Sequence, residues 1–437
     1  MNPGIVNRSA LVVLLAVLLF PIPILSSAVP TGVIYNAGDW FIHRYAVKAG
    51  EGISEGTIDA WLNPWQYRRS IIIDNTQNNN DLKDYQVKIT VDTRSLISPF
   101  PLFSAEKMKS DCSDIRFTDS DGVTLLSYWI ESGINTPNTI IWVKVPSIPA
   151  GSKKTIYMYY GNPNATSLSD PKATMFIYED FTASPSGNLA GDATYDSTNK
   201  WAQLTPKEGE KWGYLYYDKV PVNPTGFYAK FYFWTGGGNG ADAVWLGAYD
   251  SDYSRTEEDI VKGGYHFTYD EWQDRICFTK STTGNGEGIS CAWRSGTEIA
   301  NSKWHLAEVY FWYTDKAYAR VYYDGALEVN ASDPSVQPNV IKGVGKIIFG
   351  GRTGWFYNYH RIGNGLLYIA KYIYPEPETL IGPEELTPSA SSPTPLIIPF
   401  IVIACAAILA LIGVVYLRRR RSKEMEEEGM LRILLSE

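Results

Sequence analysis

One stretch near the C-terminal end of the chain limits what can surround it. Leu396 to Leu417 carries no charge, and about twenty apolar residues wound as a helix cross the roughly 30 Å of a bilayer's hydrocarbon. Arg418 to Arg421 and then Lys423 follow at once, a basic block that stops transfer and marks the inner side. The expected arrangement is a single-pass protein of the cell membrane, N-terminus outside and C-terminus cytoplasmic, with the lipid bilayer as partner through residues 396–417. A buried core helix is the competing reading, and the arginines and the Pro-Ser run before the segment weigh against it. At the other end, Arg8, the apolar Ala10 to Phe20 and the small residues Ser26-Ser27-Ala28 make the three parts of a secretory signal over residues 1–28. Cleavage is expected after Ala28, an uncleaved anchor being the alternative. The tail, residues 418–437, is too short for a domain and receives no function.

The residues between read as all-β. Tyr85 to Asp92 alternates with Val87, Ile89 and Val91 on one face, and Ile140 to Val145 and Thr155 to Tyr160 follow the same rule. Clusters such as Asp119-Ser120-Asp121-Gly122 supply turns between them. These signals predict a β-sandwich over residues 61–173, after an N-terminal extension, residues 29–60. A second strand-rich region, residues 174–385, includes Phe227 to Trp234, Ala243 to Tyr249, Leu306 to Tyr313 and Ala317 to Tyr323. A Pro-Ser-Thr linker, residues 386–395, should then hold the ectodomain off the membrane, and its shortness implies that the second domain sits close to the bilayer.

Composition narrows the partners. A formal charge of −8 argues against nucleic-acid binding, which needs a basic face. Aromatic residues make up 14% of the chain, which suits wide sheets and rigid amphipathic binding faces alike. Cys277 and Cys291 flank a polar, glycine-rich turn and are expected to form a disulfide in an oxidising compartment; two unbridged buried cysteines are the alternative. Asn164-Ala165-Thr166 and Asn330-Ala331-Ser332 are acceptor sequons for glycosylation at Asn164 and Asn330.

Five short motifs fall in order: Trp65-Gln66-Tyr67-Arg68-Arg69, Asp114-Ile115-Arg116-Phe117, Tyr128-Trp129-Ile130-Glu131, Ile141-Trp142-Val143-Lys144-Val145-Pro146 and Tyr157-Met158-Tyr159-Tyr160-Gly161-Asn162-Pro163. Together they resemble the DUF2341 family of prokaryotic surface proteins, a resemblance that implies an exported archaeal or bacterial chain but no settled activity. The second region resembles the concanavalin A-like jelly rolls, which include L-type lectins and laminin-G-like modules, through Lys303-Trp304-His305, Val321-Tyr322-Tyr323-Asp324-Gly325 and Tyr372-Ile373-Tyr374-Pro375-Glu376-Pro377. Members of that superfold bind sugars or proteins, and some hydrolyse glycans, so fold alone does not choose.

Gly236-Gly237-Gly238-Asn239-Gly240-Ala241-Asp242-Ala243 is similar to the Ala-Asp-Gly segment of L-type lectins. The likeness implies a sugar site around Asp242 and Asn239, with Trp245 and Tyr249 on the following strand. A carboxylate accepts bonds from two sugar hydroxyls while a nearby ring stacks on the apolar face. Ala243 departs from the lectin pattern, and a plain turn with a solvated Asp is the competing reading. Trp355 and Tyr357, in an aromatic run between Gly354 and Gly363, are candidates for a platform, core packing being the alternative. Asp250, Asp252 and Glu257 offer oxygens for calcium, or form an acidic surface loop. The Glu-x-Asp-x-x-Glu strand of jelly-roll glucanases is missing, so the expectation is a non-enzyme that binds a glycan. A structural or adhesive role through an envelope protein is the second reading and a glycoside hydrolase the third.

Overall fold

The computed structural model describes residues 60–97, 106–221, 226–240, 242–250, 264–281, 287–294, 299–334, 344–387 and 415–422, with 425 and 429. The expected signal, the residue pair Asp252 and Glu257, and residues 396–414 of the expected membrane span lie outside them. Among the described residues no helix is long and apolar enough to cross a membrane.

The described chain is all-β. The first strands are β1 (Tyr67–Asp74), β2 (Leu82–Val91), β3 (Arg116–Thr118), β4 (Leu125–Leu126), β5 (Tyr128–Ser132), β6 (Thr139–Ile148) and β7 (Lys153–Tyr160). After them come β8 (Ile177–Glu179), β9 (Asn188–Gly191), β10 (Thr194–Asp196), β11 (Trp201–Thr205), β12 (Trp212–Pro221), β13 (Gly226–Gly236), β14 (Ala243–Asp250), β15 (Gly264–Asp270) and β16 (Arg275–Ser281). The last are β17 (Glu287–Trp293), β18 (Trp304–Tyr313), β19 (Ala317–Tyr323), β20 (Ala326–Ser332), β21 (Val344–Arg352), β22 (Tyr359–Tyr372) and β23 (Glu378–Leu386).

The larger sandwich packs a sheet ordered β10-β11-β22-β13-β18-β19-β20, with β8 beside β22, against one ordered β17-β16-β15-β14-β21-β12-β9. This arrangement is consistent with a jelly roll. Its core follows from strict alternation. In β13, Phe227, Ala229, Phe231 and Phe233 are buried between the sheets, while Tyr228, Lys230, Tyr232 and Trp234 point the other way. Ala317, Ala319, Val321 and Tyr323 of β19 repeat the pattern. A two-residue period is what places every second side chain on one face. Cys277 and Cys291 stand opposite each other in the β16–β17 register and are bonded, S–S 2.05 Å. The bond clips the sheet-edge strand β17 to its neighbour. It closes a loop with a sequence separation of 14, so replacing both cysteines by alanine is expected to lower stability by about 3 kcal/mol. Denaturant midpoints of the two proteins check this, and coincident midpoints would count against it.

The smaller sandwich packs β2-β6-β5 against β23-β1-β7-β3-β4 around Ile71, Val87, Ile89, Ile141, Val143 and Ile156. The order of the second sheet corrects the sequence reading at its boundary. The second region was expected to run to residue 385, yet β23 pairs antiparallel with β1 from Tyr67↔Leu386 to Asp74↔Glu378. The larger sandwich is therefore inserted between β7 and β23. Thr387 leaves from the smaller sandwich, its N–H bonded to Gln66 O at 2.9 Å. The expected placement of the second region next to the linker does not hold.

The two sandwiches meet through aromatic outer faces. Trp129 and Trp142 of the smaller one pack with Tyr228, Tyr368 and Tyr372 of the larger one. At the centre Glu131 accepts from Trp142 Nε1 at 2.7 Å, Lys230 Nζ at 2.7 Å and Tyr368 Oη at 3.0 Å. Burial pushes the Glu131 carboxyl up, but Lys230 and the bonds from Trp142 and Tyr368 outweigh it and hold the group below the usual range. A buried carboxylate satisfied from both sides fixes the two bodies against each other.

Candidate ligand-binding site

Three connections converge at one end of the larger sandwich: residues 237–240 with Asp242 between β13 and β14, 271–274 between β15 and β16, and 353–358 between β21 and β22. Their backbones are tied together. Asp242 N–H donates to Arg352 O at 2.9 Å, and Glu271 N–H donates to Asp242 O at 3.0 Å. Asn239 N–H donates to Tyr357 O at 3.0 Å, and Tyr357 N–H returns a bond to Asn239 Oδ1 at 2.8 Å. Gly238 makes this approach possible, because a Cβ there would lie 1.7 Å from Tyr357 O.

A buried polar network underlies the loops. Glu271 Oε1 lies 2.6 Å from His360 Nε2, and both side chains are fully buried. The other carboxylate oxygen accepts a short bond from Asn358 Nδ2. Asn358 Oδ1 in turn accepts from Gly238 N–H at 2.9 Å, and His360 Nδ1 lies 2.7 Å from Thr205 Oγ1. Glu271 thus fastens the β15–β16 turn, the glycine-rich loop and β22 at one point. Complete satisfaction is what makes such a network rigid.

Above it the polar and aromatic groups are open. The Asp242 side chain is 38% exposed and lies 3.7 Å from Arg352 Nε. Partial burial pushes its carboxyl above the ordinary range, against the opposing pull of Arg352. Gly354 sits against that carboxylate, and next in sequence are Trp355, 92% exposed, and Phe356. Phe356 pairs with the exposed Trp272 at a ring separation of 5.1 Å. Exposed rings grouped at one spot mark a surface that meets something.

The structure brings four of the sequence-predicted residues together: Asp242, Asn239, Trp355 and Tyr357, the last half-buried and joined through its backbone. Trp245 and Tyr249 lie elsewhere. Both are buried with Tyr214 and Ile348 on the outward face of β14, β12 and β21, so neither offers a ring to solvent. Trp245 lies flat where Gly350 lacks a side chain. Asp250 is the last residue of β14, and its proposed partners Asp252 and Glu257 are outside the described residues. No group of three His, Cys, Asp or Glu among the described residues is placed to hold a metal. Asn164 and Asn330 are both exposed.

Sequence reasoning missed Arg352, Trp272 and the positioning residues Glu271 and His360. Trp272 did carry a signal: a tryptophan in the polar turn Glu271-Trp272-Gln273-Asp274 has no strand face to bury it.

Residues 111–204 match the family described as "Domain of unknown function (DUF2341)". The match omits Trp65 to Arg69 and runs past the smaller sandwich into β11. No curated protein matches the chain. Among solved structures, the chain is similar to the lectin from Bauhinia forficata in complex with GalNAc, at 17% identity, over 45% of this chain and 96% of that one, TM-score 0.38. It is also similar to the Emp47p carbohydrate recognition domain, at 11% identity over 45% and 94%, TM-score 0.36. The exoplasmic/lumenal domain of VIP36 in its Ca2+/Man3GlcNAc-bound form is 11% identical over 46% and 95%, TM-score 0.34. Likeness at this level carries no argument about a ligand.

Proposed function

We propose that the larger sandwich binds carbohydrate at Asp242 and Asn239, with Trp355, Phe356 and Trp272 as the stacking surface. The chain holds this site outside a prokaryotic cell as a single-pass membrane protein. The observation that carries the reading is a half-exposed carboxylate on neighbouring loops that also carry three exposed aromatic side chains, Trp272, Trp355 and Phe356, the loops fixed from beneath by a buried network. That combination suits a sugar, because its hydroxyls take charge-assisted hydrogen bonds while its C–H faces stack on rings.

A glycan array probed with the full chain tests it. Asp242→Ala is expected to weaken the strongest hit by about 10–100-fold, the equivalent of losing hydrogen bonds to a charged group. Trp355→Ala is expected to weaken it about 3–10-fold with unchanged melting, as stacking is worth about 0.5–1.5 kcal/mol. Binding should also fall on acidification, beginning above the pH at which an ordinary aspartate titrates, since the Asp242 carboxyl is raised. Stability runs the other way. A raised carboxyl disfavours the folded state while charged, and that penalty is relieved as pH falls through its folded-state value. An array with no hit for a folded sample would sink the proposal and favour protein contacts at the same rings.

A further inference from the structure

Next to the proposed sugar site lies a second feature that this reading leaves unused. Arg361 of β22 is in register with Trp234 of β13 and Gln203 of β11. Its guanidinium lies 4.3 Å from the Trp234 ring, 4.6 Å from Trp201 and 4.6 Å from Tyr359. Three rings around one guanidinium make a cage with a cationic centre. The rings cover Nε, which is buried and has no hydrogen-bond partner. Neither terminal nitrogen has an acceptor among the described residues.

Among the described residues no carboxylate is in ion-pair contact with the Arg361 guanidinium. Asp196 is the acidic group whose field reaches Arg361, but its oxygens are occupied within their own turn. One accepts from the N–H groups of Thr198 and Asn199 at 3.0 and 2.9 Å, and the other from Asn199 Nδ2 at 2.8 Å. An arginine held flat by rings and lacking a carboxylate partner presents a fork suited to a planar anion.

The cage adjoins the Asp242 loop. A Cβ on Gly237 would sit 3.2 Å from the Tyr359 ring and 3.7 Å from Trp234, so the glycine-rich loop rests on the cage wall. Two residues on, Asn239 exchanges backbone-directed bonds with Tyr357. Both features therefore border one loop.

We infer that Arg361 is a carboxylate subsite and that the ligand is an acidic polysaccharide, with the carboxylate of a uronic acid unit meeting the guanidinium at the edge of the cage formed by Trp201, Trp234 and Tyr359. The inference rests on the carbohydrate-binding reading of Asp242 and adds the ligand's charge. The guanidinium fork selects the carboxylate, and the rings that hold the guanidinium fix its plane.

Sodium polygalacturonate and its methyl-esterified form are the probes, titrated against the full chain and against Arg361→Gln and Arg361→Lys. The native chain should bind the acid form at least tenfold more tightly than the ester, with a preference that shrinks as salt rises. Arg361→Gln should lose that preference, its affinity for the acid form falling to about its own affinity for the ester. Arg361→Lys, which keeps charge without the fork, should fall between and serves if the glutamine variant does not fold. Equal binding of acid and ester by the native chain, with Asp242→Ala still weakening both, would overturn the Arg361 subsite and leave the sugar site standing. Failure of either probe to bind, together with an array empty of hits, would remove the sugar site and this inference with it.

Discussion

Glu271→Ala is expected to lower the stability of the protein by about 3–5 kcal/mol and to abolish ligand binding, although Glu271 itself is too deep to touch a ligand. The substitution removes the acceptor for His360 Nε2 and for Asn358 Nδ2, and both donors are buried where water cannot replace it. Breaking a buried, hydrogen-bonded pair from one side costs that much because the remaining partner stays desolvated. The consequence spreads. Asn358 would no longer be held to receive Gly238 N–H, and the turn that bonds Asp242 O would lose its anchor. Glu271→Gln keeps one acceptor oxygen and should recover part of the loss. Urea midpoints for the three proteins, with binding measured on the same samples, check the order. A Glu271→Ala midpoint within error of the native one would show that the network does not support the loops.

Replacing Glu378–Leu386 by a Gly-Ser segment of equal length is expected to cost more, beyond about 5 kcal/mol. The strand contributes seven paired positions along β1, each ladder bond being worth about 0.5–1.5 kcal/mol net. It also carries Glu385, paired at 2.8 Å with Arg68, whose side chain is 5% exposed. Glu384 accepts from Lys107 Nζ at 2.5 Å and Tyr160 Oη at 2.7 Å. Taking away the carboxylate opposite a buried arginine is the costly part. Hydrogen exchange should show the amides of β1 and β7 losing protection while those of β13 and β18 retain theirs. Uniform loss across both sandwiches would mean that the inserted body cannot hold its structure without the other. Full retention would mean that β23 is a passive edge.

Why β23 escaped sequence reading is instructive. Glu378-Thr379-Leu380-Ile381-Gly382-Pro383-Glu384-Glu385-Leu386 contains glycine, proline and paired glutamates, and no residue in it is fully buried. Such a stretch reads as the tail of the second region running into the linker. What makes it a strand is a partner more than 300 positions earlier, and strand formation of that kind is decided by context rather than local preference. β13 and β19 were readable for the opposite reason, because their alternation is written into the residues themselves.

The site divides in the same way. Asp242 and Asn239 stood out because their glycine-rich segment is similar to the Ala-Asp-Gly segment of L-type lectins. Alternation placed Trp245 and Tyr249 on one face of β14 but is silent about what lies over that face, and both proved to be buried. Glu271 looked like one more acid in a polar turn. Its meaning depends on His360, which no spacing rule connects to it.

The return of β23 to β1 also bears on how the protein responds to being pulled. A tug on a ligand held at Asp242 would travel from β22 through residues 373–377 and then along the whole length of β23 to Thr387. That load runs along the strand, and its seven pairs with β1 lie side by side with it, whereas peeling would break them one after another. The smaller sandwich then acts as a clasp around the strand that bears the tension, gripping it through the ion pairs of Glu384 and Glu385.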